Sequence, residues 1–257
     1  MSRFVFRSAV GLAIGFGFSL TLLTPAYATI ATHTGSNDPA TEGWTANLGT
    51  GNTVQVAPDS TPSWQIIDAS TSSNVNYLST MVPADLPAST PWTQTVKLRV
   101  ESSSAIASIS TRVDDGVSAF QFHYFIGNDQ GTGGTSTEGL YYFTSAGLAS
   151  ATPLVKLDVN SAFHTFDFSY DPGADGINIS YDNTFQTFLA RSAFFGSFSA
   201  GVPQQRFGNT AGGATADSRW AEVTLSVVPE PTSAVLLGMG GLMMLVTRKR
   251  ARPVIVQ

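Results

Sequence analysis

The sequence of 257 residues predicts an all-β protein, a two-sheet antiparallel sandwich flanked by one apolar helix at each end of the chain. Its central part is rich in Ser, Thr, Gly, Asn and aromatic residues, a composition that favours strands over helices. Short apolar alternations of period two recur between turn signals, and no helical period persists beyond a turn or two. About ten or more short strands in about 200 residues are typical of a sandwich.

The first 28 residues have the layout of a secretory signal peptide. Arg3 and Arg7 form a basic start, residues 10–23 are uncharged and apolar, and Ala26 and Ala28 fit the small-x-small cleavage pattern. We therefore predict a signal peptide over residues 1–28, with a signal helix that signal peptidase removes during export across the inner membrane.

The other end of the chain carries a second apolar segment. Residues 233–247 contain no charged side chain, and they lie between a Pro-Glu-Pro triplet and a basic cluster. As a helix these residues would measure about 22 Å, against a hydrocarbon core of about 30 Å. We expect a tail over residues 227–257 with a short transmembrane helix, whose basic end stays in the cytoplasm.

Residues 29–226 are expected to form one domain. Residues 29–228 hold 17 Asp and Glu against 7 Lys and Arg, a net charge of −10. An acidic surface with scattered basic side chains argues against a nucleic-acid partner, because phosphates require clustered positive charge. The chain has no Cys, so the stability of the fold must come from core burial, helped by any bound ions, rather than from disulfides.

Two hairpins stand out in this domain. Over residues 163–183, Phe166, Phe168 and Tyr170 alternate with polar residues before a turn of Asp, Pro, Gly and Ala. Around Asp114-Asp115-Gly116 a tight turn would join a strand over residues 106–113 to one over residues 117–126. Further strands are predicted at residues 54–56, 64–67, 93–100, 140–143, 154–157, 205–208 and 220–227, with a long loop over 127–139.

The order of these strands resembles a known family. The stretches WTQTVKLRV, ISTRVDDGVSAFQFHYFI, FHTFDFSYDPGADGINISYDN and QQRFGNTAGGATADSRWAEVTL are similar to the concanavalin A-like jelly rolls, including laminin-G-type and other lectin or glucanase modules. The resemblance covers about residues 92–227. It implies a jelly-roll sandwich and association with polysaccharide.

The tail resembles the PEP-CTERM sorting signal of exported bacterial proteins. The matching parts are Pro229, Glu230 and Pro231, then the apolar segment, then Arg248-Lys249-Arg250. The resemblance implies recognition by a membrane-embedded exosortase. It also implies delivery to the cell surface, outer envelope or extracellular matrix of a Gram-negative-type bacterium, with the membrane as a partner of the tail, at least transiently.

Catalytic motifs are mostly absent. The glucanase branch of the jelly rolls carries a Glu-x-Asp-x-x-Glu strand, and no Glu here has that spacing. Gly-x-Ser-x-Gly, zinc-binding His spacings and a phosphate-binding loop are also missing. We therefore expect a non-catalytic surface or matrix protein that binds polysaccharide. The alternative is a secreted glycan-active hydrolase with an unrecognised carboxylate site.

Three weaker groups of residues remain as candidate sites. Asp171, Asp175 and Asp182 surround the predicted turn and offer oxygens that suit Ca²⁺, although turn formation and solubility are the simpler explanation for them. Arg112, Gln121 and His123 would share one sheet face and bind sugar hydroxyls, unless that face is an ordinary half-exposed one. Large aromatic side chains would stack on sugars or fill the core: Trp44, Trp64, Trp92, Trp220, Tyr141 and Tyr142.

Overall fold

The computed structural model describes residues 28–70, 74–105, 108–126, 138–144, 147–148, 153–156, 162–199, 201–209 and 214–228. Two antiparallel sheets form a sandwich, and the only helical elements in these residues are two single 3₁₀ turns, Pro39–Glu42 and Arg191–Ala193. The predicted all-β sandwich is confirmed.

The first sheet has eight strands in the order β14-β13-β12-β6-β17-β4-β3, with β1 also paired to β17. Its strands are β1 (Ala28–Thr34), β3 (Thr53–Val56), β4 (Trp64–Asp68), β6 (Trp92–Ser103), β12 (His164–Asp171), β13 (Gly176–Tyr181), β14 (Thr184–Ala190) and β17 (Ala216–Val227).

The second sheet has nine strands in the order β10-β9-β8-β7-β16-β5-β2, with β11 paired to β9 and β15 paired to β8. Its strands are β2 (Thr45–Asn47), β5 (Val75–Thr80), β7 (Ile109–Asp114), β8 (Ser118–Phe125), β9 (Gly139–Thr144), β10 (Gly147–Leu148), β11 (Val155–Lys156), β15 (Phe195–Gly196) and β16 (Gln204–Asn209).

Both predicted hairpins are present. Strands β12 and β13 pair with Phe168 opposite Ile179, and strands β7 and β8 pair with Arg112 opposite Gln121. The turn between β7 and β8 is closed by the Asp115 amide, which donates to the carbonyl oxygen of Ser118 over 3.1 Å. Turn chemistry and period-two alternation thus set the register of both hairpins.

The core between the sheets is largely aromatic. The rings of Phe122 in β8 and Phe168 in β12 stack with centroids 4.0 Å apart, joining the centres of the two sheets. Most of the candidate sugar-stacking side chains belong to this interior rather than to a surface. The four Trp residues are 7% exposed or less and belong to the main core: Trp44, Trp64, Trp92 and Trp220.

The predicted terminal segments lie outside the described residues. This includes the signal peptide up to residue 27, with Ala26, and the sorting tail from Pro229 onward; Ala28 is the first residue of β1. In the described part of the chain, no helix has the length and apolar character needed to cross a membrane. Most of the predicted loop over residues 127–139 is likewise outside, and its last residue, Gly139, begins β9.

Candidate functional site

Arg112, Gln121 and His123 come together on the outer face of the second sheet. Side chains alternate between the two faces of a strand, so Phe122 points into the core and its neighbours Gln121 and His123 point outward. Arg112 is the cross-strand partner of Gln121, and Gln121 Nε2 lies 3.1 Å from His123 Nε2. The three side chains are only 7%, 7% and 2% exposed, so this face is covered.

The register adds two residues to this group. Arg206 in β16 lies directly opposite Arg112, and Tyr141 in β9 lies directly opposite His123. Tyr141 packs with Phe125 apart from the main core, which places it on the outer face. We call Arg112, Gln121, His123, Tyr141 and Arg206 the polar cluster.

The two arginines of the polar cluster are a like-charge pair, with Arg112 buried and Arg206 half-buried. Burial and the neighbouring charge of Arg112 lower the pKa of Arg206 to about 10, and burial also lowers the pKa of Arg112. Arg112 Nη2 donates to Gln204 Oε1 over 3.1 Å. Among the described residues no carboxylate forms an ion pair with either guanidinium.

The nearest acidic side chain on the same strand does not neutralise this pair. Asp114 partly offsets the lowering of the Arg112 pKa. However, its two carboxylate oxygens accept hydrogen bonds from the backbone amides of Gly116, over 3.0 Å, and Phe198, over 2.8 Å. The carboxylate is therefore held by the turn, and the two guanidinium groups share an excess of positive charge.

Three phenylalanines, which we call the aromatic cover, lie over or beside the polar cluster. The ring of Phe198 is 5.0 Å from the guanidinium carbon of Arg112. The ring of Phe143 is 5.5 Å from that of His123 and stacks on Phe195 at 5.1 Å. Phe195 belongs to β15 and is the cross-strand partner of Ala119 in β8, two residues before Gln121 of the polar cluster. The cover restricts water access and strengthens electrostatic interactions beneath it.

The three calcium candidates are not brought together. Asp171 and Asp175 lie at the turn between β12 and β13, whereas Asp182 lies at the opposite end of β13, about 20 Å away along a six-residue strand. Asp175 accepts from Arg191 Nε over 2.8 Å, and Asp182 from the amide of Thr165 over 2.9 Å. Nowhere in the described ranges do three or more His, Cys, Asp or Glu side chains form a group that could hold a metal.

A second set of carboxylates lies on the outer face of the first sheet. Asp59 pairs with Arg99 at 3.0 Å and also with Arg219, which in turn pairs with Glu101 at 3.0 Å. Next to them, burial raises the pKa of Asp217, with the charge of Glu101 adding to the effect. This network combines ion-paired carboxylates with one carboxyl group that holds its proton more tightly.

A shallow polar depression of about 510 Å³ also lies on the first sheet. Its walls carry hydroxyl groups that bond across strands, such as Thr95 to Asp167 over 2.6 Å and Thr93 to Ser169 over 3.0 Å. These groups satisfy one another, and Asp167 is the one ionisable side chain in the described lining. The depression is therefore a weaker candidate than the polar cluster.

Comparison with known proteins identifies the fold. No family model and no curated protein matches this chain. Among solved structures, a carbohydrate esterase from Shiga toxin-encoding bacteriophage phi24B is similar with a TM-score of 0.57 and 13% identity over 79% of this chain and 99% of that one. Peanut lectin is similar with a TM-score of 0.50 and 12% identity over 79% and 97%. An endo-β-1,4-glucuronan lyase from Trichoderma reesei is similar with a TM-score of 0.49 and 10% identity over 77% of this chain and 95% of that one.

The chain has the concanavalin A-like jelly-roll fold. The resemblance read from the strand order is confirmed for this fold by the lectin and the esterase. At identities of 12–13% these two similarities establish the fold alone, so the chemistry has to be argued from the residues of this chain.

The expectation that this chain is not an enzyme is wrong. It depended on the missing glucanase carboxylates, but solved structures with this fold include a carbohydrate esterase, which by its name cleaves esters. The absence of one carboxylate motif therefore does not exclude catalysis on glycans by other groups.

Proposed function

We propose that this protein is a glycan-active enzyme that cleaves a uronic-acid polysaccharide at the polar cluster by β-elimination. The observation that carries the proposal is the cross-strand pair of Arg112, which is buried, and Arg206, which is half-buried, with no carboxylate partner for either among the described residues. Keeping two like charges out of water is unfavourable. A bound anion would offset that cost.

A carboxylate suits this pair best. The planar guanidinium fork binds carboxylates in a bidentate manner, and a uronic-acid residue places one carboxylate on each acidic sugar. The net charge of −10 over residues 29–228 repels polyanions at long range. Attraction must therefore come from the two guanidinium groups at short range, inside the covered face.

The same pair would promote elimination. Neutralising the uronate carboxylate makes the proton on the adjacent C5 more acidic, because charge that develops there is stabilised by the guanidinium groups. A base removes that proton, the C4–O4 bond breaks, a C4=C5 double bond forms and O4 accepts a proton. The reaction consumes no water and needs no pair of catalytic carboxylates.

His123 and Tyr141 are placed for these proton transfers. The 3.1 Å contact between Gln121 Nε2 and His123 Nε2 requires the amide to donate and the imidazole nitrogen to accept. This contact assigns the basic lone pair of neutral His123 to Nε2. Tyr141, its cross-strand neighbour, carries a phenol that would protonate the leaving O4. The sugar would have to displace the Gln121 amide from Nε2 before this lone pair could take the proton, and the displaced amide would then donate to the bound carboxylate.

A glycan reaches the cluster only when the aromatic cover moves. Phe198 is 50% exposed although it stacks on Arg112, so its ring is held by few neighbours. Displacement of the segment around Phe198 would open a path to both guanidinium groups. Its return would exclude water from the charged site, which strengthens the interaction between the guanidinium groups and the carboxylate.

The test is a lyase assay on uronic-acid polymers, read as ultraviolet absorbance of the new double bond conjugated to the carboxylate. We expect activity in the wild-type protein and a loss of at least about 100-fold in kcat for His123→Ala or Tyr141→Phe. Asp171→Asn, in an exposed turn, is the matched control and should retain full activity. Lack of absorbance with every uronic-acid polymer, and no binding of them, would refute the proposal. A sulfated polymer without uronate distinguishes carboxylate recognition from binding of any anion.

Hydrolysis at the Asp59, Glu101 and Asp217 network is the second candidate. The raised pKa of Asp217 beside Glu101 is the arrangement that a carboxyl general acid requires. Release of reducing ends without ultraviolet absorbance, abolished by Asp217→Asn but not by His123→Ala, would favour this function over elimination.

Export and sorting complete the proposal. The signal peptide and the PEP-CTERM-like tail support secretion, processing by signal peptidase and exosortase, and a place at the cell surface or in the matrix. Mass spectrometry of the protein from its native host should find Thr29 at the amino terminus and a carboxyl terminus near Pro229. An intact Gln257, in a genome without an exosortase gene, would instead indicate a retained anchor.

A further inference from the structure

One end of the sandwich contains three buried oxygen atoms that accept no hydrogen bond. They are Oδ2 of Asp68, Oδ1 of Asn74 and Oδ1 of Asn209. The side chains of Asp68 and Asn209 are nearly inaccessible, with 2% and 0% exposure. A buried acceptor that lacks a donor is unfavourable by about 1–3 kcal/mol, so three such atoms at one place call for a common partner.

The register of both sheets brings these residues together. Asp68, at the end of β4, is the cross-strand partner of Ala216 in β17. Asn209, at the end of β16 in the other sheet, donates from Nδ2 to the carbonyl oxygen of Ala216 over 3.4 Å. Asn74 directly precedes Val75, which is the cross-strand partner of Asn209. The side chains of Asp68 and Asn209 therefore border the same end of the core, and the backbone of Asn74 lies next to this end.

The orientation of the Asn209 amide is fixed by its neighbour. Because Nδ2 faces a carbonyl oxygen, Oδ1 must point the opposite way. Asp68 uses Oδ1 to accept from the amide of Ser70 over 3.1 Å, which leaves Oδ2 turned to the interior. No basic side chain pairs with Asp68 among the described residues.

We propose that Asp68, Asn74 and Asn209 bind a divalent cation, Ca²⁺ in preference to Mg²⁺. Carboxylate and amide oxygens are the ligands of hard cations, and Ca²⁺ accepts irregular sets of six to eight oxygens. A water molecule has two protons and would serve only two of the three acceptors. The cation also neutralises the buried carboxylate, and it ties β4 and β5 to β16 where the two sheets meet.

The site differs from the three turn carboxylates in one physical respect. Asp171, Asp175 and Asp182 already accept hydrogen bonds from protein donors, whereas the oxygens at the sandwich end do not. Two of the three proposed ligands are Asn, so the site is not a cluster of acidic or His side chains. The inference is independent of the proposed catalysis.

The experiment uses the purified full chain after removal of metals with EDTA. Thermal unfolding and calorimetric titration with CaCl₂ and MgCl₂ should show one saturable Ca²⁺ site, with a Tm rise of about 5–10 °C at 100-fold excess over Kd. Asp68→Asn should lose the rise, Asn74→Ala should bind about tenfold more weakly, and Asp171→Asn should behave as wild type.

Two results would overturn the proposal. One is an unchanged Tm and no binding heat for the wild-type chain with either cation. The other is an equal Ca²⁺-dependent rise in wild type and Asp68→Asn. If Asp68→Asn does not fold, Asn74→Ala carries the test, because Asn74 lies at the border of the site and is partly exposed. A Ca²⁺ affinity equal to wild type in Asn74→Ala would then count against the site.

Discussion

Replacing Arg206 by methionine should make the protein more stable and inactive. Methionine keeps the aliphatic stem of the side chain but removes its charge, so Arg112 no longer faces a like charge across the strands. If the pair exists to bind an anionic sugar, its energetic cost is borne by the free protein and offset by the ligand. Removing one of the two arginines should therefore raise the free energy of unfolding and abolish activity.

The magnitude follows from the lowered pKa. A change from 12.5 to about 10 for Arg206 corresponds to about 3 kcal/mol against the charged form in the folded state. Replacement by an apolar side chain should recover about 1–3 kcal/mol of this, equivalent to a Tm increase of about 3–10 °C in a domain of this size.

The lowered pKa also determines how the stability difference between Arg206→Met and wild type changes with pH. A base whose folded pKa is lowered destabilises the fold while it is protonated, and the penalty disappears as pH rises from about 10 toward 12.5. The stability advantage of Arg206→Met over wild type should therefore be constant through neutral pH and shrink above pH 10.

The assay is urea unfolding of wild type, Arg206→Met and a matched control, Arg219→Met. Arg219 is ion-paired with Asp59 and Glu101, so its replacement should destabilise the protein. A uronic-acid oligosaccharide should raise the Tm of wild type and leave that of Arg206→Met unchanged. Destabilisation by Arg206→Met to the same degree as by Arg219→Met would refute the interpretation of a strained, anion-binding pair.

Three further predictions concern the scaffold that holds the site. Arg191→Ala leaves the buried carboxylate of Asp115 without the guanidinium 2.7 Å away and should lower the free energy of unfolding by about 3 kcal/mol in urea titrations. Phe122→Ala removes the ring stacked on Phe168 and should lower it by about 3–5 kcal/mol in the same assay. Gly208→Ala puts a Cβ 2.6 Å from a backbone carbonyl at φ +121°, and a loss of at least about 1 kcal/mol is expected by thermal melting.

Local patterns in the sequence were enough to predict both hairpins. In β12 and β8 the alternation of aromatic and polar residues is strong, since one face of each strand packs on the opposite sheet. Six strands escaped prediction: β1, β2, β5, β10, β14 and β15. In β1 the short side chains of Ala and Thr give weak contrast between faces, and in β14 every described side chain is exposed or half-buried. An edge strand with little burial leaves little periodic signal.

Only the part of the polar cluster that lies on one hairpin could be predicted from the sequence. Arg112, Gln121 and His123 could be placed together because they belong to one hairpin, whose register follows from its turn. Arg206 and Tyr141 could not be added, because their positions depend on which distant strands flank the hairpin. Burial of the polar cluster was also not predictable, since it depends on the segment around Phe195 and Phe198 crossing the sheet.

The other arginines of the chain provide an internal comparison for this site. Among the described residues Arg99, Arg191 and Arg219 each pair with at least one carboxylate. The fold thus supplies partners where an arginine serves to hold strands or turns together. Arg112 is buried and Arg206 half-buried without such a partner, although the domain is acidic overall. An excess of acidic side chains would make pairing easy to achieve, so the unpaired state of these two arginines indicates a partner that comes from outside the chain.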